Sequence, residues 1–169
     1  MSIIRLETQS DRLAVNLINE AAFGRQAEAT LVDCIREKSA DYLSFVAEQG
    51  DMIVGHIFFS EVSIESSREV LQAMALGPMA VLPLYQNQGI GSLLVTRGLE
   101  ELRRLGHGVV VVLGHSWFYP RFGFVQARQK NLVCEFSVAD DVFMVAELIP
   151  GALDGKQGRV KYHDAFHRV

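Results

Sequence analysis

The stretch VLPLYQNQGIGSLL, residues 81–94, decides the fold of this chain. An apolar segment ends at Val81, a polar loop follows, and a helical pattern begins with Gly89 and Gly91, two glycines one residue apart. Glycine lets a backbone turn tightly and approach a ligand closely. The first turn of a helix offers unpaired N–H groups and a partial positive charge. The stretch therefore predicts a strand–loop–helix unit that can hold a phosphate or pyrophosphate at the start of its helix.

Two common nucleotide-binding motifs do not fit this turn. The dinucleotide fingerprint requires a third glycine where this chain has Leu94, and an acidic residue about 20 positions on, where it has Val109 to Val112. A P-loop requires Gly-Lys-Ser/Thr where this chain has Leu94 and Val95. A glycine-rich helix start that binds no ligand stays open as an alternative interpretation.

The residues that follow predict a strand–helix–strand crossover. A helix is expected from Gly89 to Leu105, because Gly106-His107-Gly108 ends the periodic pattern. Val109 to Leu113 is an unbroken apolar run, which is typical of a strand buried on both faces. A right-handed connection between two parallel strands is therefore expected. The inward face of the helix is expected to carry Ile90, Leu93, Leu94, Gly98, Leu102 and Leu105.

The rest of the chain predicts further strands and helices around this unit. Strands are expected at residues 3–6, 42–48, 52–62 and 69–81, and near 131–137 and 142–148. The proline of Gly77-Pro78 predicts a bulge or splayed edge inside the fourth of these. A short helix is expected around residues 117–121. Two more helices are expected near the start, one capped by Ser10 or Asp11 with Leu13, Leu17, Ile18 and Ala21 inward, and one at 27–38 with Leu31, Cys34 and Ile35 inward.

Composition excludes several classes of protein. The chain has 169 residues, of which 49% are hydrophobic and 21% charged, so it can bury a core and is not wholly disordered. Sixteen Lys and Arg against 20 Asp and Glu give a net charge of −4, which argues against general nucleic-acid binding. No signal-like start and no apolar run near 18 residues is present, so we expect no membrane span and a reducing cytosolic environment.

The cysteines and histidines give weak signals. Two cysteines do not make a disulfide framework. Each is spaced from its apolar neighbours as on one face of a helix or strand, which predicts that Cys34 and Cys134 are small buried hydrophobes. His107, His163 and His167 lack the spacing of metal ligands, so no metal is expected.

Three segments together resemble the GNAT superfamily of acyl-CoA-dependent N-acyltransferases. Residues 86–91, QNQGIG, match the Gln/Arg-x-x-Gly-x-Gly/Ala signature of that family. Residues 76–81 resemble its central strand with a bulge, and residues 110–124 resemble the following strand with its Tyr-x-x-x-Gly-Phe ending. The sequence YPRFGF at residues 119–124 is similar to that of a bacterial branch of predicted acetyltransferases, whose substrates are mostly unassigned.

The resemblance implies an α/β (α+β) fold with a mixed, mostly antiparallel central sheet, a splayed parallel strand pair and flanking helices. It implies an N-acetyltransferase domain at residues 1–150, with residues 151–169 as a C-terminal extension packed on the same domain. Acetyl-CoA is the implied co-substrate, with its pantetheine arm in the gap between the splayed strands. Gln86 stands where the family often has arginine, so one favourable charge is lost. The implied coenzyme contacts are Met79, Ala80 and Val81 to pantetheine, and Gln86, Asn87, Gln88, Gly89, Ile90, Gly91 and Ser92 to the pyrophosphate.

The resemblance also implies roles in catalysis. Tyr119 falls at the position of the family's tyrosine and is the expected general acid, although its ring also has aromatic neighbours with which it can simply pack. The backbone N–H of Met79 is the expected oxyanion donor. The general base is not identified: His56 and His115 are weak candidates, and His56 equally fits a hydrogen-bonded core residue.

The implied function is an acetyl-CoA-dependent N-acetyltransferase that moves an acetyl group to a primary amine of a small molecule or protein by direct attack in a ternary complex. The alternative is a non-catalytic acyl-CoA-binding sensor or regulatory module. We expect a cytoplasmic bacterial protein, possibly a homodimer, that has acetyl-CoA and an amine acceptor as partners and does not bind nucleic acid or membranes.

Overall fold

The computed structural model describes residues 1–39 and 41–169, which form α-helices, β-strands and short 3-10 turns. The helices are α1 (Arg12–Phe23), α2 (Ala27–Lys38) and α3 (Ile90–Arg104). The strands are β1 (Ile3–Leu6), β2 (Tyr42–Gln49), β3 (Met52–Glu65), β4 (Val70–Val81), β5 (Val109–Leu113), β6 (Val125–Gln126), β7 (Leu132–Cys134), β8 (Phe143–Glu147) and β9 (Gly158–Lys161).

Contacts divide the described chain into two compact units. The first contains Met1–Phe59, Gly77–Leu99 and Asp164–Val169, and the second contains Ser60–Leu76 and Glu100–His163. The strands β3 and β4 and the helix α3 therefore contribute residues to both units. The boundary expected near residue 150, between a domain and its extension, is not one of these divisions and stays a prediction.

The first unit contains the helices α1 and α2, the strands β1 and β2, and parts of β3 and β4. β1 pairs antiparallel with β2, from Ile3 opposite Glu48 to Leu6 opposite Phe45, and β3 follows as the next neighbour of β2. One core cluster of this unit joins α2 to β3 and to the last residues of the chain. It consists of Leu31, Val32, Ile35, Phe58 and Ala165, with Cys34, Tyr42 and Phe166 packed against it.

The inward face of α1 differs from the expected one. Leu13 and Leu17 are 72% and 56% exposed, whereas Val15, Ile18 and Asn19 are buried. The periodic pattern favours the leucines, but Asn19 is stabilised in the interior by hydrogen bonds to the Val15 carbonyl and to the ring of His56. The prediction for this face was therefore wrong except at Ile18.

The second unit holds the parallel pair expected from the apolar run. β5 runs parallel to β4, with residue pairs from Met74–Val110 to Leu76–Val112, and its other edge pairs antiparallel with β8. The continuation of β4 after Leu76 begins at Gly77, whose φ is 146°, and belongs to the first unit. The sheet is mixed and mostly antiparallel, and the predicted fold class is confirmed. A second parallel pair, β7 with β9, was not predicted.

Burial corrects two smaller predictions, one about α3 and one about the cysteines. Leu93 and Leu105 of α3 are 48% and 51% exposed, while the other residues of its expected inward face are buried. Cys34 and Cys134 are free thiols that are half-buried rather than fully enclosed. None of the helices in the described ranges is long and apolar enough to cross a membrane.

Candidate functional site

The loop before α3 has a braced backbone. A 3-10 turn covers Pro83–Tyr85, and two positive φ angles follow, 62° at Asn87 and 84° at Gly89. The side-chain amide of Gln86 donates to the carbonyl of Val81 at 3.0 Å, and that of Gln88 donates to the carbonyl of Leu84 at 3.3 Å. Both side chains therefore turn back onto the loop and hold its shape.

The start of α3 presents a cluster of backbone donors. The first recorded bond of the helix runs from the N–H of Leu93 to the carbonyl of Gly89 at 3.1 Å. In the described part of the chain no acceptor is recorded for the N–H groups of Gly89, Ile90, Gly91 and Ser92. These are the groups that a helix start leaves unpaired, at the positive end of its dipole. Their geometry fits an anion such as a diphosphate.

Two glycines allow α3 to pack closely against β3 in the first unit. The sequence did not connect either of them with this site. A Cβ added at Gly55 would lie 3.1 Å from side-chain atoms of both Ile90 and Leu94. A Cβ added at Gly98 would lie 2.4 Å from the ring of Phe59. The signal in the sequence was a glycine inside a strand and a glycine inside a helix, each of which often marks a close approach.

The end of β4 lies in the same unit as this loop. Ala80 and Val81 are 3% and 9% exposed, whereas Met79 is half-buried. The N–H of Leu82 donates to the carbonyl of Val54 at 2.9 Å, which ties this end of the strand to β3. The implied pantetheine-contact residues and the N–H cluster are therefore brought together in one unit.

Tyr119 lies in the second unit, at the start of the 3-10 turn Tyr119–Phe122. Its side chain is almost fully buried, with 6% of the residue exposed. Its ring meets those of Phe118 and Phe124 edge to face, at centroid distances of 5.0 and 5.6 Å. Burial raises the pKa of Tyr119 to about 12, so the phenol keeps its proton at neutral pH.

His56, one of the two candidate bases, is a hydrogen-bonded core residue. It is fully buried, with Nδ1 3.1 Å from the side-chain nitrogen of Asn19 and Nε2 2.9 Å from the hydroxyl of Ser44. Because the same Asn19 amide nitrogen also donates to the Val15 carbonyl, Nδ1 is the acceptor and Nε2 carries the proton. Burial, and then the charge of Arg36, lowers the pKa of His56 to about 3. A ring with its lone pair already occupied inside the core does not serve as the base.

The other histidine candidate is exposed. His115 stacks on Trp117, with ring centroids 5.4 Å apart, on the segment between β5 and Tyr119.

Within residues 1–39 and 41–169, no group of three or more His, Cys, Asp and Glu side chains is placed to hold a metal ion.

Comparison with known proteins decides the family. A family model described as an acetyltransferase (GNAT) domain matches residues 40–126. The chain belongs to the GNAT acetyltransferases. The uncharacterized N-acetyltransferase YhbS of Escherichia coli K12 is 35% identical over 167 residues, covering 98% of this chain and 99% of that protein. The predicted resemblance is thus confirmed, as is the class of enzyme, an N-acetyltransferase.

Solved GNAT structures agree with this fold over nearly the whole chain. The crystal structure of E. coli YhbS in complex with CoA has a TM-score of 0.93 at 34% identity, covering 99% of this chain and 92% of that one. A GNAT acetyltransferase from Brucella melitensis in complex with acetyl-CoA has a TM-score of 0.79 at 35% identity, covering 98% of each chain. These related GNAT proteins are bacterial, and they bind the coenzyme that the sequence implied here.

Proposed function

We propose that this chain binds acetyl-CoA and transfers its acetyl group to a primary amine of a small molecule or protein, by direct attack in a ternary complex. The observation that carries the proposal is the set of unpaired N–H groups from Gly89 to Ser92 at the start of α3. Relatives from E. coli and Brucella that share the fold hold CoA and acetyl-CoA, which supports it. Cytoplasmic location and a homodimer belong to the same proposal, and the assembly is measured by sedimentation.

Recognition of the diphosphate is assigned to the backbone. The loop N–H groups from Asn87 onwards, those at the start of α3 and the Ser92 hydroxyl are the proposed donors. The N–H of Gln86, also implied by the resemblance, already donates to the carbonyl of Pro83 at 3.4 Å. Hydrogen bonds to a charged group contribute about 1.5–3 kcal/mol each. No cationic side chain stands within residues 86–92, so main-chain donors and the helix dipole supply the attraction.

The end of β4 is the proposed contact for the pantetheine arm. The backbone of Met79, Ala80 and Val81 would pair with the pantetheine amides in the manner of an added strand. Main-chain pairing supplies affinity, and the buried side chains of Ala80 and Val81 keep the strand in place.

The proposed chemistry requires a proton donor and an oxyanion donor. The uncharged amine nitrogen attacks the thioester carbon, and the carbonyl oxygen gains negative charge, which the Met79 N–H stabilises. The C–S bond then breaks, the sulfur takes the phenolic proton of Tyr119, and the amine nitrogen releases its proton to water. A phenol whose pKa lies at about 12 holds its proton until the thiolate forms.

Isothermal titration with CoA tests the carrying observation. The variant Gly91→Asp places a carboxylate among the N–H donors, where it favours the helix start but repels a diphosphate. We expect the affinity for CoA to fall at least about tenfold, while the melting temperature without ligand is unchanged or higher. The matched control Ala27→Asp makes the same charge change in the first turn of α2 and leaves CoA binding unchanged. Equal affinity in both variants would contradict the assigned diphosphate site.

A panel of amines with acetyl-CoA and thiol detection tests the transfer step. Release of thiol that depends on one amine identifies the acceptor. CoA binding without thiol release from any amine would instead favour the non-catalytic sensor.

A further inference from the structure

We propose that Gly114 is a positioning residue for Tyr119, because its missing side chain leaves the space in which the tyrosine ring lies. This inference rests on the proposed role of Tyr119 as the proton donor. It assigns to Gly114 a function that the resemblance did not supply.

The contact is closer than any side chain would allow. A Cβ added at Gly114 would lie 2.3 Å from Cε2 of Tyr119, 3.0 Å from Cδ2 and 3.3 Å from Cζ. The φ of Gly114 lies outside the left-handed region, so its backbone conformation does not itself require glycine. The ring of Tyr119 is therefore what demands glycine here.

Neither partner can move aside easily. The backbone at Gly114 is held to the turn before β8 by its N–H, which donates to the carbonyl of Val142 at 2.9 Å, just beyond the Leu113–Phe143 pair. The tyrosine ring is enclosed by the edge-to-face contacts with Phe118 and Phe124. A methyl group at position 114 must therefore displace the ring, because the backbone at Gly114 directly follows β5 and is hydrogen-bonded to Val142.

Displacement of the ring would move the hydroxyl at its far end. Rotating a buried aromatic side chain out of its place shifts the hydroxyl by far more than the tolerance of a proton transfer, which needs donor and acceptor within hydrogen-bond reach. It would also expose the phenol to water, and the pKa of a solvated tyrosine lies at about 10. The two consequences, one catalytic and one spectroscopic, are measured separately.

The spectroscopic measurement needs no acceptor. Tyrosine ionisation is followed by near-ultraviolet absorbance between about pH 8 and pH 11 in the parent, Gly114→Ala and Gly114→Ala/Tyr119→Phe proteins. We expect Gly114→Ala to ionise one more tyrosine in this range than the parent, and the double variant to lose that increment. An unchanged titration in Gly114→Ala overturns the proposal.

The catalytic measurement is a double-mutant cycle on thiol release from acetyl-CoA, with hydroxylamine as a small nucleophile that is uncharged at neutral pH. Gly114→Ala should slow release at saturating acetyl-CoA by at least about tenfold, as Tyr119→Phe does, without changing the affinity for CoA. In the Tyr119→Phe background the same substitution should have less than about a twofold effect. Independent, multiplying effects overturn the proposal.

The control is Gly108→Ala at the other end of β5, where the added Cβ would lie 3.2 Å from that of Ala152. It should leave both readouts unchanged. If Gly114→Ala does not fold, Gly114→Ala/Phe124→Leu, which opens space beside the ring, takes its place. If the parent protein releases no thiol above the uncatalysed rate, with hydroxylamine or with any amine of the panel, the proposed function fails. The titration alone then decides whether Gly114 sets the position of the ring.

Discussion

At the scale of single residues, His56 connects α1 to the sheet of the first unit. Its two ring nitrogens are occupied by Asn19 from α1 and by Ser44 from β2. A buried polar group costs free energy unless it is hydrogen-bonded, so each of these partners supports the other two. The ring is therefore stable only in its neutral form.

The pH dependence of stability tests this assignment. The unfolded chain protonates His56 near pH 6.5, whereas the folded chain does so only near pH 3. The contribution of the neutral ring is thus complete above pH 6.5 and is lost progressively as the pH falls towards 3. We expect the free energy of unfolding to fall by roughly 2 kcal/mol from this residue between pH 6.5 and pH 5.

The matched variant is His56→Gln, because glutamine can still accept from Asn19 and donate to Ser44 but does not titrate. Urea unfolding of both proteins across this pH range gives the comparison. The difference between the two stability curves should shrink as the pH falls. Curves that stay parallel would show that the imidazole does not resist protonation.

At the scale of elements, the approach of α3 to β3 determines where the N–H donors lie. The contact of Gly98 with the ring of Phe59 lets a helix with a bulky apolar face lie close to the strand. Gly55 does the same beneath the first turn, at Ile90 and Leu94. A side chain at either glycine would separate the helix from the strand that supports it.

The substitution Gly98→Ala tests this packing. Overpacking destabilises a protein by about 1–3 kcal/mol, whereas the better helix propensity of alanine stabilises it by about 1 kcal/mol. We therefore expect the free energy of unfolding to fall by about 1 kcal/mol. Adding Phe59→Leu should relieve the clash, so that the double variant is more stable than the sum of the single changes predicts. Urea midpoints measure each protein, with Thr96→Ala on the exposed side of α3 as control. Strict additivity would show that the ring adjusts without cost.

Elements with a clear apolar pattern were predictable from the sequence, whereas β9 was not. β5 was predicted with its observed bounds because five consecutive apolar residues leave one interpretation. β9, Gly158–Lys161, was missed because it alternates too briefly and carries two cations, and its pairing with β3 and β7 comes from tertiary contacts. The face of α1 was wrong because a hydrogen-bonded Asn19 took the place expected for a leucine.

At the scale of the whole molecule, the last residues of the chain contribute to both units. β9 pairs with β3 and β7 in the second unit. The turn Asp164–Arg168 belongs to the first unit, where Ala165 is buried and Phe166 packs against the cluster on α2. These contacts show where the last two elements of the chain pack, and the extension expected at residues 151–169 stays a prediction.

Removing residues 164–169 should destabilise the first unit. The truncation takes away the apolar surface of Ala165 and Phe166 and exposes Leu31, Val32 and Ile35 to water. We expect a loss of about 2 kcal/mol in the free energy of unfolding, measured by urea denaturation. The control truncation removes only Arg168 and Val169, which are exposed, and should change stability by less than about 0.5 kcal/mol. Equal stability of both truncated proteins would contradict the packing role of the tail.

The sequence predicted the elements that form the candidate site better than the side-chain contacts within it. The motif at residues 86–91 identified the loop and the family, because it encodes a local backbone conformation. Gly114 and Gly98 could not be assigned in that way, because their contacts are with side chains whose positions only the folded chain defines. The role of His56 was likewise open until the structure supplied its partners on α1 and β2.

The donors at the start of α3 are peptide groups, and every amino acid except proline carries one. Selection on such a surface acts on the path of the chain and much less on the chemical identity of its side chains. Gln86 can thus stand where an arginine is common, since its side-chain bond to the Val81 carbonyl helps to hold the path of the loop. An enzyme that holds acetyl-CoA as proposed here can therefore change the surroundings of the acceptor, and so its substrate, without altering the groups that hold the shared donor molecule.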